Sequence, residues 1–331
     1  MNMIDLSAVK GQGQAVGILS GFLESGRVPH ALVFSGPEGV GKRFAADLFA
    51  RAIFCRAQGA VPCFSCDSCR KIERGAFPDL IHVEIAESKT RILIDQIREI
   101  ERIVAYHPFS GDSRVIVIDP ADLMTEDASA AILKTLEEPP AGTHFILVTG
   151  RAFSLPPTIL SRCQKVRFSP LPGPVIAEIL GGGREAQDAA EMARGSLARA
   201  RLMVSGGLVS AQEQMVETLS EMGLNDPIGI QKLSESVTKY KVDIFDIIDI
   251  LKCWYRDLMI SRETHREGDL VYHRLVKDFG GRWAQTSIRS LIESMEAAQQ
   301  IERILTSRMH LNMRIALEAL FIRLVELKYN Q

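Results

Sequence analysis

Apolar and polar positions follow two regimes along the 331 residues. Up to about residue 170, short apolar runs recur: Ala31-Leu-Val-Phe-Ser35, Leu80-Ile-His-Val-Glu-Ile85, Arg114-Val-Ile-Val-Ile-Asp119, His144-Phe-Ile-Leu-Val-Thr149 and Val166-Arg-Phe168. Runs of this length without alternation suit strands buried on both faces. Between them lie helical stripes. Residues 4–26 read as an entry helix with Ile18, Leu19, Phe22 and Leu23 on one face, and 92–104 repeat apolar residues at 93, 94, 97, 100 and 104. Thr125 has the chemistry of an N-cap for a helix through Glu138, which Pro139-Pro140 stops. A short helical turn follows Pro156-Pro157. Strands alternating with helices predict an α/β domain with a mainly parallel sheet.

Past Pro170-Leu-Pro-Gly-Pro174 the strand pattern stops. Residues 174–205 read as small helices around Gly181-Gly-Gly183 and Gly195-Ser196. Three longer stripes follow: Ile244, Ile247, Ile248, Leu251, Trp254, Tyr255 and Leu258; Ile288, Leu291, Ile292, Met295 and Leu305; and Leu317, Leu320, Phe321 and Leu324. Each is a one-sided helix, and together they predict a helical bundle. The expected division is an α/β domain at 1–170, a small helical domain at 171–208 and a helical domain at 209–331.

Composition changes this picture little. A net charge of −2 and a pI near 6.4 provide no global basic field, so any nucleic-acid contact is local or shared with partners. No apolar run reaches membrane-spanning length and the N-terminus lacks a basic-then-apolar signal, which predicts a cytosolic protein. Six cysteines are present, four of them between 55 and 69. In a cytosolic chain that clustering reads as metal ligation rather than disulfides. Cys55, Cys63, Cys66 and Cys69, with no histidine among them, predict a closed tetrahedral Zn²⁺ site of structural type. Cys163 and Cys253 stand alone and read as small core residues.

The candidate chemistry centres on Gly36-Pro-Glu-Gly-Val-Gly-Lys42-Arg43, between an apolar strand and a helical stripe. Strand, glycine loop, lysine and helix form the context of a P-loop, in which Gly36, Gly39 and Gly41 let backbone N–H groups converge on phosphate and Lys42 meets the β- and γ-phosphates. The next position should carry a hydroxyl to ligate Mg²⁺, and Arg43 cannot. Asp119 ends a buried strand where a metal-holding carboxylate belongs, but Pro120 follows it where a catalytic Glu would polarise water. Thr149, at a neighbouring strand end, reads either as a γ-phosphate sensor or as a satisfied core hydroxyl. Arg162, in Ser161-Arg162-Cys163, reads either as a solvated rim residue or as a phosphate-reaching guanidinium.

These motifs coincide. The glycine-rich loop, the Cys-x7-Cys-x2-Cys-x2-Cys insertion behind it, Leu133-Lys-Thr-Leu-Glu-Glu-Pro-Pro140 and Ser161-Arg162-Cys163 together resemble bacterial DNA polymerase III clamp-loader subunits, members of the AAA+ superfamily. The resemblance extends from about Ala8, including Gly11-Gln12 and Pro29-His30-Ala31, to the stretch 312–320. It implies a P-loop domain, a helical lid and a helical collar, assembled with motor subunits (gamma/tau) and delta into a pentamer that loads a sliding clamp onto primed DNA in the bacterial cytoplasm. Motor subunits of this family carry Lys-Ser/Thr, Asp-Glu and a sensor arginine fourth in Gly-Ser-x-Arg. Here Arg43, Pro120 and Ala198 stand at those positions, with Arg199 one residue late. The resemblance therefore implies a non-hydrolysing stator, with ATP and Mg²⁺ not expected to work in its own pocket, that donates Arg162 as a finger to a neighbour's ATP site. The alternatives are an ATP-hydrolysing gamma/tau-type motor and an unrelated zinc-containing nucleotide-binding module. Retention of a bare phosphate by Lys42 and the loop glycines stays open.

Overall fold

The computed structural model describes residues 3–57, 59–87, 89–151, 154–224, 226–239, 244–264, 270–307 and 313–329. Asn312, at the start of the last resembling stretch, lies outside them. The chain divides into two compact units, Met1–Val175 with Gly195–Ala198, and Ile176–Arg194 with Arg199–Gln331. The first boundary is five residues beyond the expected 170, and residues expected as a separate lid are shared between the units.

In the first unit the chain runs β1 (Met3–Ile4), α1 (Gly13–Glu24), β2 (Ala31–Ser35), α2 (Lys42–Phe54), β3 (Ala60–Val61), α3 (Asp67–Glu73), β4 (Leu80–Val83), α4 (Ile94–Val104), β5 (Arg114–Ile118), α5 (Glu126–Glu137), β6 (Thr143–Thr149), α6 (Pro157–Leu160) and β7 (Gln164–Arg167). Five strands form one sheet in the order β4-β5-β6-β2-β7, with every neighbouring pair parallel. The central strands β2, β5 and β6 are buried nearly throughout, as their unbroken apolar runs require, whereas the edge strands β4 and β7 are only partly covered. Ile97, Ile100 and Val104 of α4 pack into the core with Ile116, Ile118, Phe145 and Leu147. The Thr125 hydroxyl accepts from the Ala128 N–H at 3.2 Å, capping α5. This unit is the α/β domain with a parallel sheet that the alternation predicts.

The entry segment departs from expectation. Residues 4–12 are not helical: Met3–Ile4 pairs with Ala60–Val61, Gly11 turns at φ +71°, and the helix begins at Gly13. Leu6 and Val9 are buried in this irregular segment, so apolar spacing alone does not separate it from a helix.

The second unit holds α7 (Gly173–Ile179) and α9 (Leu197–Ser205), the first residues of each contributed by the first unit, with α8 (Arg184–Met192), α10 (Leu208–Glu221), α11 (Pro227–Lys239), α12 (Ile244–Thr264), α13 (His273–Phe279), α14 (Ile288–Ser307) and α15 (Met313–Tyr329). The predicted faces of α12 and α15 are buried as read. That of α14 is not: Leu291 is buried, but Ile288 and Ile292 are exposed, and Ser290, Ser294 and Ala298 face inward. Small residues permit a close helix approach, and the Ser294 hydroxyl donates to the Ser290 carbonyl at 2.7 Å, so no donor is stranded. Among the described residues no helix is long and apolar enough to cross a membrane.

Candidate functional site

Parallel strands bring their C-terminal ends to one edge of the sheet, where ligands of such folds bind. Ser35 of β2 pairs with Thr149 of β6, Ile118 of β5 with Leu147, and Val83 of β4 with Ile118. The glycine loop, Asp119, Thr149 and Glu84 therefore share this edge. A side chain at Gly36 would collide with the Phe168 carbonyl, and one at Gly39, where φ is +75°, with the Ser196 hydroxyl. Gln12, almost fully buried, ties this region together: its amide nitrogen donates to the Ser169 carbonyl at 2.7 Å and its oxygen accepts from the Ser169 N–H at 3.0 Å.

Lys42 begins α2, yet its ammonium turns back on the loop and donates to the Gly36 and Pro37 carbonyls at 2.7 and 2.6 Å. Burial lowers its pKa, against the opposing pull of Asp119, Glu38 and Asp122. Arg43 lies among three carboxylates: Glu84 at 2.6 Å, Asp47 at 3.3 Å and Asp119 at 3.5 Å. Burial works against its charge, but the Glu84 hydrogen bond and the charges of Asp47, Glu84 and Asp119 outweigh that and hold the pKa above the ordinary value. Asp119 titrates above the usual carboxylate range because burial outweighs Arg43 and Lys42. The residues present do not fit the Mg²⁺ of an active P-loop. The hydroxyl ligand is replaced by a guanidinium, and that guanidinium occupies the carboxylate meant for the metal. Ala198 adds nothing to the phosphate side, since only its backbone N–H reaches the Gly39 carbonyl, at 3.3 Å. Arg199, one residue on, pairs with Asp249 and Asp246 of α12 at 3.4 and 3.7 Å.

Thr149 is fully buried, and its hydroxyl oxygen accepts from the Arg151 N–H at 2.9 Å. Glu84, Asp47 and Asp122 escaped the sequence reading. Asp47 was legible as the i+4 partner of Arg43. Glu84 follows a strand read two residues too long, and Asp122, nearly buried with an unpartnered Oδ1, had no signal.

The four cysteines converge at the end of α2 and the start of α3, with all Sγ atoms within 4.8 Å of one another. Backbone N–H groups point at the sulfurs: Cys63 at Cys55 (3.4 Å), Cys66 at Cys63 (3.3 Å) and Cys69 at Cys66 (3.5 Å). Hydrogen bonds from the Ser65 backbone and hydroxyl and from the Cys66 N–H pull the Cys63 thiol down to about 5, while burial raises Cys69. A four-sulfur cage with N–H donors directed at its sulfurs fits one tetrahedral metal ion with all positions filled by protein. Cys163 and Cys253 are each buried.

Arg162 precedes β7, whose Gln164 pairs with Leu32 near the start of β2. It therefore lies toward the opposite edge of the sheet from the glycine loop. Its guanidinium pairs with Glu137, the last residue of α5, at 2.5 Å, and donates to the Thr158 carbonyl at 2.9 Å and the Ser161 hydroxyl at 3.3 Å. Glu137 lies in the Leu133–Pro140 motif, and its pairing with Arg162 is visible only in three dimensions.

A family model described as DNA polymerase III, delta subunit, matches residues 11–172. The chain is 40% identical to DNA polymerase III subunit tau of Salmonella typhimurium over 49% of its length, but spans only 25% of that protein. With subunit delta' of Bacillus subtilis it is 28% identical over 92% of both chains. Among solved structures, a gamma-subunit-related protein from Thermotoga maritima superimposes with a TM-score of 0.48 at 18% identity, covering 94% of this chain and 99% of the other. The chain is thus similar to bacterial DNA polymerase III clamp-loader subunits, and its likeness to the delta' subunits of Pseudomonas aeruginosa and Bacillus subtilis runs over 89% and 92% of its length.

Proposed function

We propose that this chain is the delta-prime stator of a DNA polymerase III clamp loader. It hydrolyses no ATP itself and presents Arg162 to the ATP site of an adjacent motor subunit. The observation that carries this reading is the separation of parts. The groups that would do chemistry at its own glycine loop are replaced or engaged, while an ordered guanidinium sits toward the other edge of the sheet. From Leu32 to Ser35 the strand alone spans roughly 10 Å, so Arg162 does not serve the loop of its own chain. A guanidinium that supplements a phosphoryl transfer must then do so across an interface, where it neutralises charge developing on the transferred group.

In this reading Glu137, Thr158 and Ser161 hold the planar fork ready, and lysine is a poor replacement because a point charge cannot span two phosphate oxygens. Residues 171–208 act as a lid and 209–331 as a collar that joins gamma/tau and delta subunits in a pentamer. The assembly acts on the sliding clamp and primed DNA. Cys55, Cys63, Cys66 and Cys69 hold structural Zn²⁺, the ion that best suits an all-thiolate tetrahedral cage. A motor role is disfavoured by the Arg43–Asp119 pairing.

The test is a reconstituted loader carrying Arg162→Ala in this subunit alone. Assembly and zinc content should be unchanged, while hydrolysis at one motor site falls by roughly 10³–10⁵ and clamp loading slows. Wild-type DNA-stimulated turnover in a verified assembly would return Arg162 to ordinary surface.

A further inference from the structure

The misfit between this P-loop and its usual metal ion has a specific form. Arg43 does more than lack a hydroxyl. Its Nη1 meets Asp119, its Nη2 meets Glu84 and its Nε meets Asp47. Asp47 is also bonded by His82 Nε2 at 2.8 Å. Three carboxylates from a helix and two strand ends converge where an active P-loop assembles its cation, and one guanidinium satisfies all of them.

We propose that Arg43 is a resident cation: it takes over the charge-neutralising role of a divalent metal at Asp119 and makes this P-loop refractory to Mg²⁺. A guanidinium supplies fixed charge and directed donors but no open coordination position, so it can hold carboxylates together without ligating phosphate oxygens or water. Its loss leaves three carboxylates with Lys42 as the near cation, and Lys42 is engaged by two carbonyls. Repulsion among them then favours uptake of a hard, oxygen-seeking ion. The inference rests on the surroundings of Asp119 and not on the role of Arg162, so either can fail alone.

Zinc-loaded full-length chain, wild type and Arg43→Ser, is melted across a Mg²⁺ series against NaCl of matched ionic strength. Mg²⁺ is the probe because a thiolate cage does not compete for it. Wild type should respond equally to both salts. Arg43→Ser should melt lower without Mg²⁺ and gain a saturable, Mg²⁺-specific rise of roughly 2–4 °C, lost on adding Asp119→Asn. Arg43→Gln, closer in length, should behave like Arg43→Ser and replaces it if that variant does not fold. If neither folds, the wild-type titration decides. A Mg²⁺-specific rise in wild type that Asp119→Asn removes overturns the proposal, as does indifference to Mg²⁺ in a folded Arg43 variant.

Discussion

Arg114 and Asp79 show what a single pair can organise. Arg114 opens β5 and Asp79 immediately precedes β4; both are buried, 3.5 Å apart. Arg114 donates to the carbonyls of Ile103, Tyr106 and His107, while Asp79 accepts from the Phe109 and Ser110 N–H groups at 2.8 and 2.5 Å. The loop after α4 thus has its polar backbone satisfied from within. Arg114→Met leaves a buried carboxylate uncompensated, and a loss of about 3–5 kcal/mol is expected in denaturant unfolding of the first unit. A change below about 1 kcal/mol would mean that the pair is not isolated from water. His144 gives a pH prediction. Burial lowers its pKa, with His30 adding to the shift and a hydrogen bond to the Pro29 carbonyl at 3.0 Å opposing it. Below about pH 6.5 the unfolded chain takes up a proton that the folded chain resists. Stability from this residue is therefore complete above that pH and is lost as pH falls toward the lower folded value. His144→Gln should flatten the fall in melting temperature between pH 7 and 5, and an unchanged slope would assign that fall to other groups.

At the scale of elements, the cysteine segment is short and carries little apolar surface, so the proposed Zn²⁺ is what would organise it. With Zn²⁺ bound, elemental analysis should find about one ion per chain, and Cys69→Ser should lose it. Proteolysis within 55–73 should then accelerate while the parallel sheet persists. Zinc retained at full occupancy after that change would remove Cys69 from the ligand set. In the second unit, Lys328 of α15 is buried yet ends on three carbonyls at the close of α10: Leu219 (3.2 Å), Ser220 (2.6 Å) and Met222 (3.3 Å). These are carbonyls that a helix end leaves without partners, and a cation there also meets the negative end of the helix dipole. Trp283 packs against the Lys328 ammonium and donates to the Ser220 hydroxyl at 2.8 Å. Lys328→Met keeps the stem but strands the Leu219 and Ser220 carbonyls, while Met222 keeps the Tyr329 hydroxyl at 2.9 Å. The expected cost is about 1–3 kcal/mol in the unfolding transition of the second unit.

For the whole molecule, the proposed stator role predicts which activity is absent and which surface is used. The purified chain should turn over no more ATP than a Lys42→Ala variant, because water activation and metal ligation are both missing at its loop. Turnover sensitive to Lys42→Ala would make it a motor. Ile288 and Ile292 of α14 and Ile315 and Ile322 of α15 are exposed although their helices are otherwise well packed. If they meet partner subunits in the collar, Ile292→Asp with Ile322→Asp should weaken assembly by more than tenfold without lowering the melting temperature, as buried apolar anchors at interfaces do. Unchanged co-elution with the partner subunits would place the interface elsewhere.

Local chemistry made much of this legible in the sequence. Unbroken apolar runs marked β2, β5 and β6 because a strand covered on both faces has no polar positions to offer. Thiol spacing marked the four-sulfur cluster because chain length limits which sulfurs can come together. Arg43, Pro120 and Ala198 suggested lost catalytic groups, the basis of the proposed stator role, because each residue type lacks the required atom. Other features depended on atoms far apart in the chain. Parallel register placed Glu84 beside Asp119 and Arg43, and it also placed Arg162 away from the glycine loop that precedes it. The inward face of α14 was decided by how closely its neighbours approach, which favours Ser290 and Ser294 over the more apolar Ile288 and Ile292. Sequence periodicity records how apolar a position is; contact distance between elements decides whether that position is used.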